Sequence, residues 1–94
     1  MAALDLLGRR WALRVLWELR GGAQSFRALR TLCDDLSPTV LNQRLAELRD
    51  SGIVAHEDGS GYGLTAQGKS LLAALAPLHD WAERWGTSSR RRRG

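Results

Sequence analysis

Ninety-four residues carrying one cysteine and a formal net charge of +4 make a single domain with a modest core, short of burial unless a partner adds surface. No apolar run approaches the roughly 20 residues of a bilayer span, the first residues lack the basic start and apolar stretch of a signal peptide, and one cysteine fits a reducing compartment. A membrane protein and a disulfide scaffold are therefore excluded, and a cytoplasmic location is expected. The charge is uneven. Arg90 to Arg93 supply four of the 14 basic residues and leave a neutral body. Eight arginines meet four acids between Arg9 and Arg49, whereas Lys69 alone meets five acids between Asp50 and Glu83. The N-terminal half is thus the side suited to a polyanion.

Leu4, Leu7, Trp11, Val15 and Leu19 recur at helical spacings of three and four, with Ala12, Leu13 and Leu16 beside them. Gly8 interrupts the pattern, predicting a short first helix and a second over about residues 10–20, which Gly21-Gly22 ends. Ala23-Gln24 reads as a stub of strand, and Ser25 as the cap of a helix from Phe26 to about Leu32. Cys33 to Leu36 form a connection. Ser37 as cap and Pro38 at the first helical position open a helix over 38–51, and Gly52 stops it. Ile53–Glu57 and Tyr62–Leu64 flank a glycine-rich turn at 58–61, predicting a β-hairpin. Thr65 caps a last helix carrying Leu71, Leu72, Leu75, Leu78, Trp81, Ala82 and Trp85, which Pro77 is expected to kink or divide. From Thr87 the chain is Ser and Arg with a final Gly, predicting a disordered basic tail over 87–94 after a folded domain over 1–86.

At about 100° per residue, helix 38–51 sorts into two faces. Leu41, Leu45 and Leu48 lie on one side with Val40 near its margin; Thr39, Gln43 and Ala46 lie opposite, flanked by Asn42 and Glu47. Amide side chains pair in bidentate fashion with adenine, and a threonine methyl meets the thymine methyl. Thr39, Asn42 and Gln43 are therefore the candidate base readers. The competing reading is an ordinary solvated face. Against it, an exposed helix usually carries Glu and Lys pairs, and this first turn holds no charge until Arg44. Ser25, Arg27, Arg30, Ser37 and Arg44 are the candidate DNA-backbone contacts, which position without specifying; Arg44 projects sideways, where it suits a phosphate or an internal ion pair equally. The Arg90–Arg93 run suits either counterion release or simple solvation.

Trp11 and Trp17 read as core or interface residues. Trp81 and Trp85, four apart beside the leucines, form an apolar stripe better matched to a partner helix than to a cofactor, with a ligand pocket there as the lesser alternative. His56 and His79 stand far from any metal-ligand spacing. Gly59-Ser60-Gly61 does not join a strand to a helix as a phosphate loop would. No enzyme motif and no cofactor site are expected, and Cys33 reads as a small buried apolar residue.

Leu4-Asp5-Leu6-Leu7-Gly8-Arg9-Arg10-Trp11, Ser25-Phe26-Arg27-Ala28-Leu29-Arg30, Leu36-Ser37-Pro38-Thr39-Val40-Leu41-Asn42-Gln43-Arg44-Leu45 with Leu48, Gly52-Ile53-Val54, and Tyr62-Gly63-Leu64-Thr65-Ala66-Gln67-Gly68 occur in that order. Together they closely resemble the HxlR-type winged-helix regulators over about residues 4–86. The resemblance implies a mainly α fold with a small β-hairpin, a winged helix-turn-helix. It further implies a bacterial, nucleoid-associated transcription regulator binding a pseudo-palindromic double-stranded DNA operator as a homodimer. Helix 38–51 would enter the major groove and the hairpin would be the wing. The terminal helices would form the dimer interface, through Leu4, Leu7, Leu75, Leu78, Trp81 and Trp85. Two features depart from the family pattern. The wing, His56-Glu57-Asp58-Gly59-Ser60-Gly61, is short and acidic. The N-terminal arm that sometimes bears a redox-active cysteine is expected to be missing, and Cys33 sits elsewhere. Two alternatives stay open: a winged-helix protein-interaction module that binds no DNA, and a regulator sensing a small-molecule effector or oxidant through Cys33 or the Trp81/Trp85 interface.

Overall fold

The computed structural model describes the backbone of residues 8–57, 59 and 61–93, with side chains as far as Gly86. Leu4, Leu7 and the short first helix expected around them lie outside the described residues.

Helix α1 spans Ala12–Glu18. It starts after Trp11, whose φ of 77° is left-handed, a conformation costly for a bulky side chain and held here because Trp11 packs on the core. The helix ends before Gly21. The Leu19, Arg20 and Gly22 amides donate to the carbonyls of Leu16, Trp17 and Leu19, each three residues back, so the last turn tightens into 3₁₀ geometry.

Helix α2 is Phe26–Leu32, where the Ser25 Oγ accepts the Ala28 amide at 3.0 Å. Helix α3 is Pro38–Asp50, where the Ser37 Oγ accepts the Val40 amide at 3.2 Å. Both caps are those the sequence predicts. Gly52, at φ 76°, ends α3, and the Ile53 amide donates to the Leu48 carbonyl at 2.9 Å. Leu41, Leu45 and Leu48 pack with Val15, Leu16, Leu19, Leu29, Cys33, Leu36 and Val54 into one core. The predicted apolar face of α3 is the buried one.

Strand β1 (Val54–Glu57) pairs antiparallel with β2 (Gly61–Leu64), Val54 opposite Leu64 and Glu57 opposite Gly61. The predicted stub is present as a bridge: the Gln24 and Tyr62 backbones exchange two hydrogen bonds of 2.9 and 2.8 Å. A β-carbon on Gly61 would lie 2.3 Å from the Gln24 carbonyl oxygen, so only glycine fits there.

Helix α4 runs Ala66–Arg93. Of the two effects expected of Pro77, division does not occur: it and Ala73 both sit on the exposed side of the helix, so the Ala73 carbonyl that loses its donor faces water. The helical backbone also runs past the expected boundary at residue 86, to Arg93. One stack ties α4 to the rest: the His79 ring lies 3.9 Å from the Trp17 ring at 13°, and the Arg20 guanidinium sits 4.1 Å from the same indole.

Candidate nucleic-acid interface

A short α2, a connection, a capped α3 and a hairpin place one helix face outward and leave the other packed. Thr39, Asn42, Gln43 and Ala46 are exposed along that outward face. Among the described residues, Thr39, Asn42 and Gln43 make no side-chain hydrogen bond. Their donors and acceptors are therefore available to a ligand, while the leucines opposite are fixed. The chain path into the face is also fixed, because Ser37 spends one oxygen lone pair on its cap and keeps its hydroxyl proton to donate outward.

The arginines divide in a way their sequence positions do not reveal. Arg44 forms an ion pair with Glu47, and both are largely buried; the Arg9 Nε approaches the other Glu47 oxygen at 3.2 Å. Of the two roles open to Arg44, the geometry favours the internal pair over a phosphate contact. The half-buried Arg30, expected at the DNA backbone, donates its Nε to the Leu36 carbonyl at 2.8 Å. Arg14 donates to the Leu32 carbonyl at 2.7 Å and pairs with Glu18 and Asp34, and Arg20 donates to the Trp17 carbonyl. Arg27 keeps its guanidinium free among the described residues and is exposed, as are Arg10 and Arg49. Nothing but charge marks Arg10 and Arg49 in the sequence. Ser25, like Ser37, is an exposed cap.

The wing carries no lysine or arginine. His56 and Glu57 are exposed, and the His56 ring lies 4.7 Å from its cross-strand neighbour Tyr62. Among the described residues no cluster of His, Cys, Asp and Glu could hold a metal, and no helix is long and apolar enough to cross a membrane. On α4, Leu78, Trp81 and Trp85 are exposed, with the two indoles stacked at 6.0 Å and 9°.

The family model for the HxlR-like helix-turn-helix matches residues 6–90. The chain belongs to that family. Its relatives include the HTH-type transcriptional regulator YvaP of Bacillus subtilis, 33% identical over 88% of this chain and 82% of that protein. Among solved structures, a possible HxlR family transcriptional factor from Thermoplasma volcanium superposes with a TM-score of 0.85 at 28% identity, covering 93% of this chain and 84% of that one. Quinone-bound YodB from B. subtilis gives a TM-score of 0.79 at 30% identity over 87% and 92% of the two chains. This HxlR-type chain is accordingly a DNA-binding transcription regulator with a winged helix-turn-helix fold, and its family is one of regulators rather than enzymes. The four helices and the antiparallel hairpin of the described residues match those the sequence predicts after its short first helix, which lies outside them.

Proposed function

We propose that this regulator reads a pseudo-palindromic operator as a homodimer, with α3 in the major groove of each half-site. One observation carries the reading: the exposed strip Thr39, Asn42, Gln43 and Ala46, uncharged and free of internal hydrogen bonds, opposite leucines that are wholly buried. Asn42 and Gln43 suit adenine edges, Thr39 suits the thymine methyl, and the small Ala46 lets the helix approach the groove floor. Arg27 with the Ser25 and Ser37 hydroxyls would hold the phosphates, whereas Arg30 and Arg44 are engaged within the fold. With an acidic wing, affinity must lean on these few contacts and on a second copy.

The surface for that second copy is the α4 stripe of Leu75, Leu78, Trp81 and Trp85. It continues into an apolar groove of about 340 Å³ between α1 and α4, lined by Leu13, Trp17, Leu72, Leu75, Leu78 and Ala82 among others. Pairing along α4 would set two copies of α3 about one helical turn, roughly 34 Å, apart. YodB has been solved with a quinone bound. A thiol route to an effector is poorly supported here, because Cys33 is completely buried and burial pushes its thiol above its ordinary pKa, with Arg14 opposing and Glu18 and Asp34 adding.

Selection of bound sequences from a random duplex library tests the proposal. The expected result is two inverted half-sites spaced by one helical turn, with Gln43→Ala weakening the selected site far more than a random duplex. A failure to enrich any sequence would instead favour a winged-helix protein-interaction module.

A further inference from the structure

The turn that joins α2 to α3 is strained. Asp34 and Asp35 have φ values of 60° and 57°, two successive left-handed residues; the region costs most L-residues about 1–2 kcal/mol, and aspartate tolerates it better than most but less well than glycine. Such a conformation persists only where its surroundings over-determine it.

The hydrogen bonds of the turn show what does so. A helix leaves its last four carbonyls without intrahelical partners. At the end of α2 all four are satisfied: the Leu29 carbonyl by the Cys33 amide at 2.9 Å, Arg30 by the Asp35 amide at 2.8 Å, and Thr31 by the Asp34 amide at 3.2 Å. The fourth, Leu32, accepts from the Arg14 Nη2 on α1 at 2.7 Å. On the far side of the turn, the Leu36 carbonyl, one residue before the Ser37 cap of α3, accepts from the Arg30 Nε at 2.8 Å. Two guanidiniums therefore clamp the turn, one at each end. The charge on Arg14 is met by Glu18 at 3.2 Å and Asp34 at 3.8 Å, which leaves it little attraction for phosphate.

We propose that Arg14 and Arg30 are positioning residues of DNA recognition. They hold the strained 33–36 turn, and with it the angle at which α3 meets the groove, and they act without neutralising a phosphate. The inference rests on the reading of α3 as the base-reading helix.

Salt titrations of the full chain on the selected operator and on a random duplex test it. Arg30→Lys is the decisive variant, because lysine keeps the charge but has no planar Nε–H to offer Leu36. Arg30→Lys and Arg14→Gln should each weaken operator binding by about tenfold, the worth of one charge-assisted hydrogen bond. Both should leave random-duplex affinity and the slope of log K against log salt unchanged. Arg27→Ala, the comparison, should weaken both duplexes and flatten the slope by about 0.9 per lost phosphate contact. A similar flattening in Arg14→Gln or Arg30→Ala, or full operator selectivity in Arg30→Lys, overturns the proposal. Should Arg30→Ala fail to fold, the Arg30→Ala/Asp35→Gly double variant, whose turn bears less strain, takes its place in the same titration. Gln43→Ala separates the two levels. Lost selectivity in Gln43→Ala with intact selectivity in Arg30→Lys refutes the clamp alone. Intact selectivity in Gln43→Ala refutes the base-reading assignment and the clamp with it.

Discussion

A β-carbon placed on Gly68 would stand 2.2 Å from the carbonyl oxygen of Ile53. The first turn of α4 thus presses directly on the backbone that leads from α3 into the wing, and no side chain can be interposed. Alanine normally stabilises a helix interior by about 1 kcal/mol relative to glycine. Here Gly68→Ala should do the reverse, because the clash is with backbone that cannot swing aside. The expected net loss is about 2 kcal/mol, read as a lower urea midpoint with an unchanged m-value.

Thr65 makes the same junction from the polar side. Its hydroxyl donates to the Gly52 carbonyl at 2.6 Å and accepts the Gly68 amide at 3.1 Å, joining the end of α3 to the start of α4. Thr65→Val keeps the shape but loses both bonds and should cost about 2 kcal/mol. Thr65→Ser should retain most of the stability, since the hydroxyl alone does this work. Equal unfolding midpoints for the valine and serine variants would refute this account.

These contacts explain the spacing Leu64-Thr65-x-x-Gly68, and they mark where sequence reading succeeds. The caps Ser25, Ser37 and Thr65 and the stop at Gly52 follow from local backbone chemistry, so they were legible. So was the face of α3, because Leu41, Leu45 and Leu48 repeat with the helical period. What local pattern cannot carry is the direction of a long side chain. Arg30 and Arg27 look alike in sequence, three residues apart on one helix. Arg30 turns to Leu36 only because the chain reverses at Asp34 and Asp35. Arg44 meets Glu47 across one turn of α3, and the sequence allowed that pair without choosing it. Helix α4 continues past Pro77 because the unpaired carbonyl is solvated, which depends on the side of the helix that the fold leaves exposed.

The strained turn makes its own prediction. Glycine adopts the left-handed region without a Cβ penalty, so Asp35→Gly should hold or raise stability, by up to about 1 kcal/mol after the added freedom of its unfolded chain is subtracted. Asp35→Val, with a branched Cβ, should lose more than 1 kcal/mol on the same grounds. Thermal unfolding of the two variants beside the parent checks the order; a valine variant as stable as the glycine one would show the turn to be unstrained.

Cys33 should give the fold an alkaline weakness. Its thiol is raised by burial, so the unfolded chain releases this proton at lower pH than the folded one. The unfolded state then binds fewer protons, and stability must fall as pH rises. The contribution is fully present below about pH 8.5, where an unfolded thiol ionises, and is lost as pH climbs toward the raised folded value. Cys33→Ala will be less stable at neutral pH because it leaves a small cavity, yet its stability should decline less between about pH 8.5 and 10. Parallel stability profiles for the two proteins would refute the assignment.

Dimerisation gives the last expectation. Leu78, Trp81 and Trp85 are 55%, 52% and 59% exposed, so they contribute little to the core of their own chain. Glutamate at Leu78 and Trp81 together should leave helix content and unfolding cooperativity nearly intact while placing two like charges in the middle of the proposed interface. The double variant should sediment as a monomer where the parent sediments as a dimer. Its affinity for a single half-site should be unchanged. Its affinity for the full palindrome should drop by about 100-fold, to the half-site level, because linking two half-site readers multiplies affinity without adding any contact. A double variant that remains dimeric would move the interface away from this stripe, and a loss of half-site binding would mean that α4 supports α3 by way of α1, through the Trp17–His79 stack.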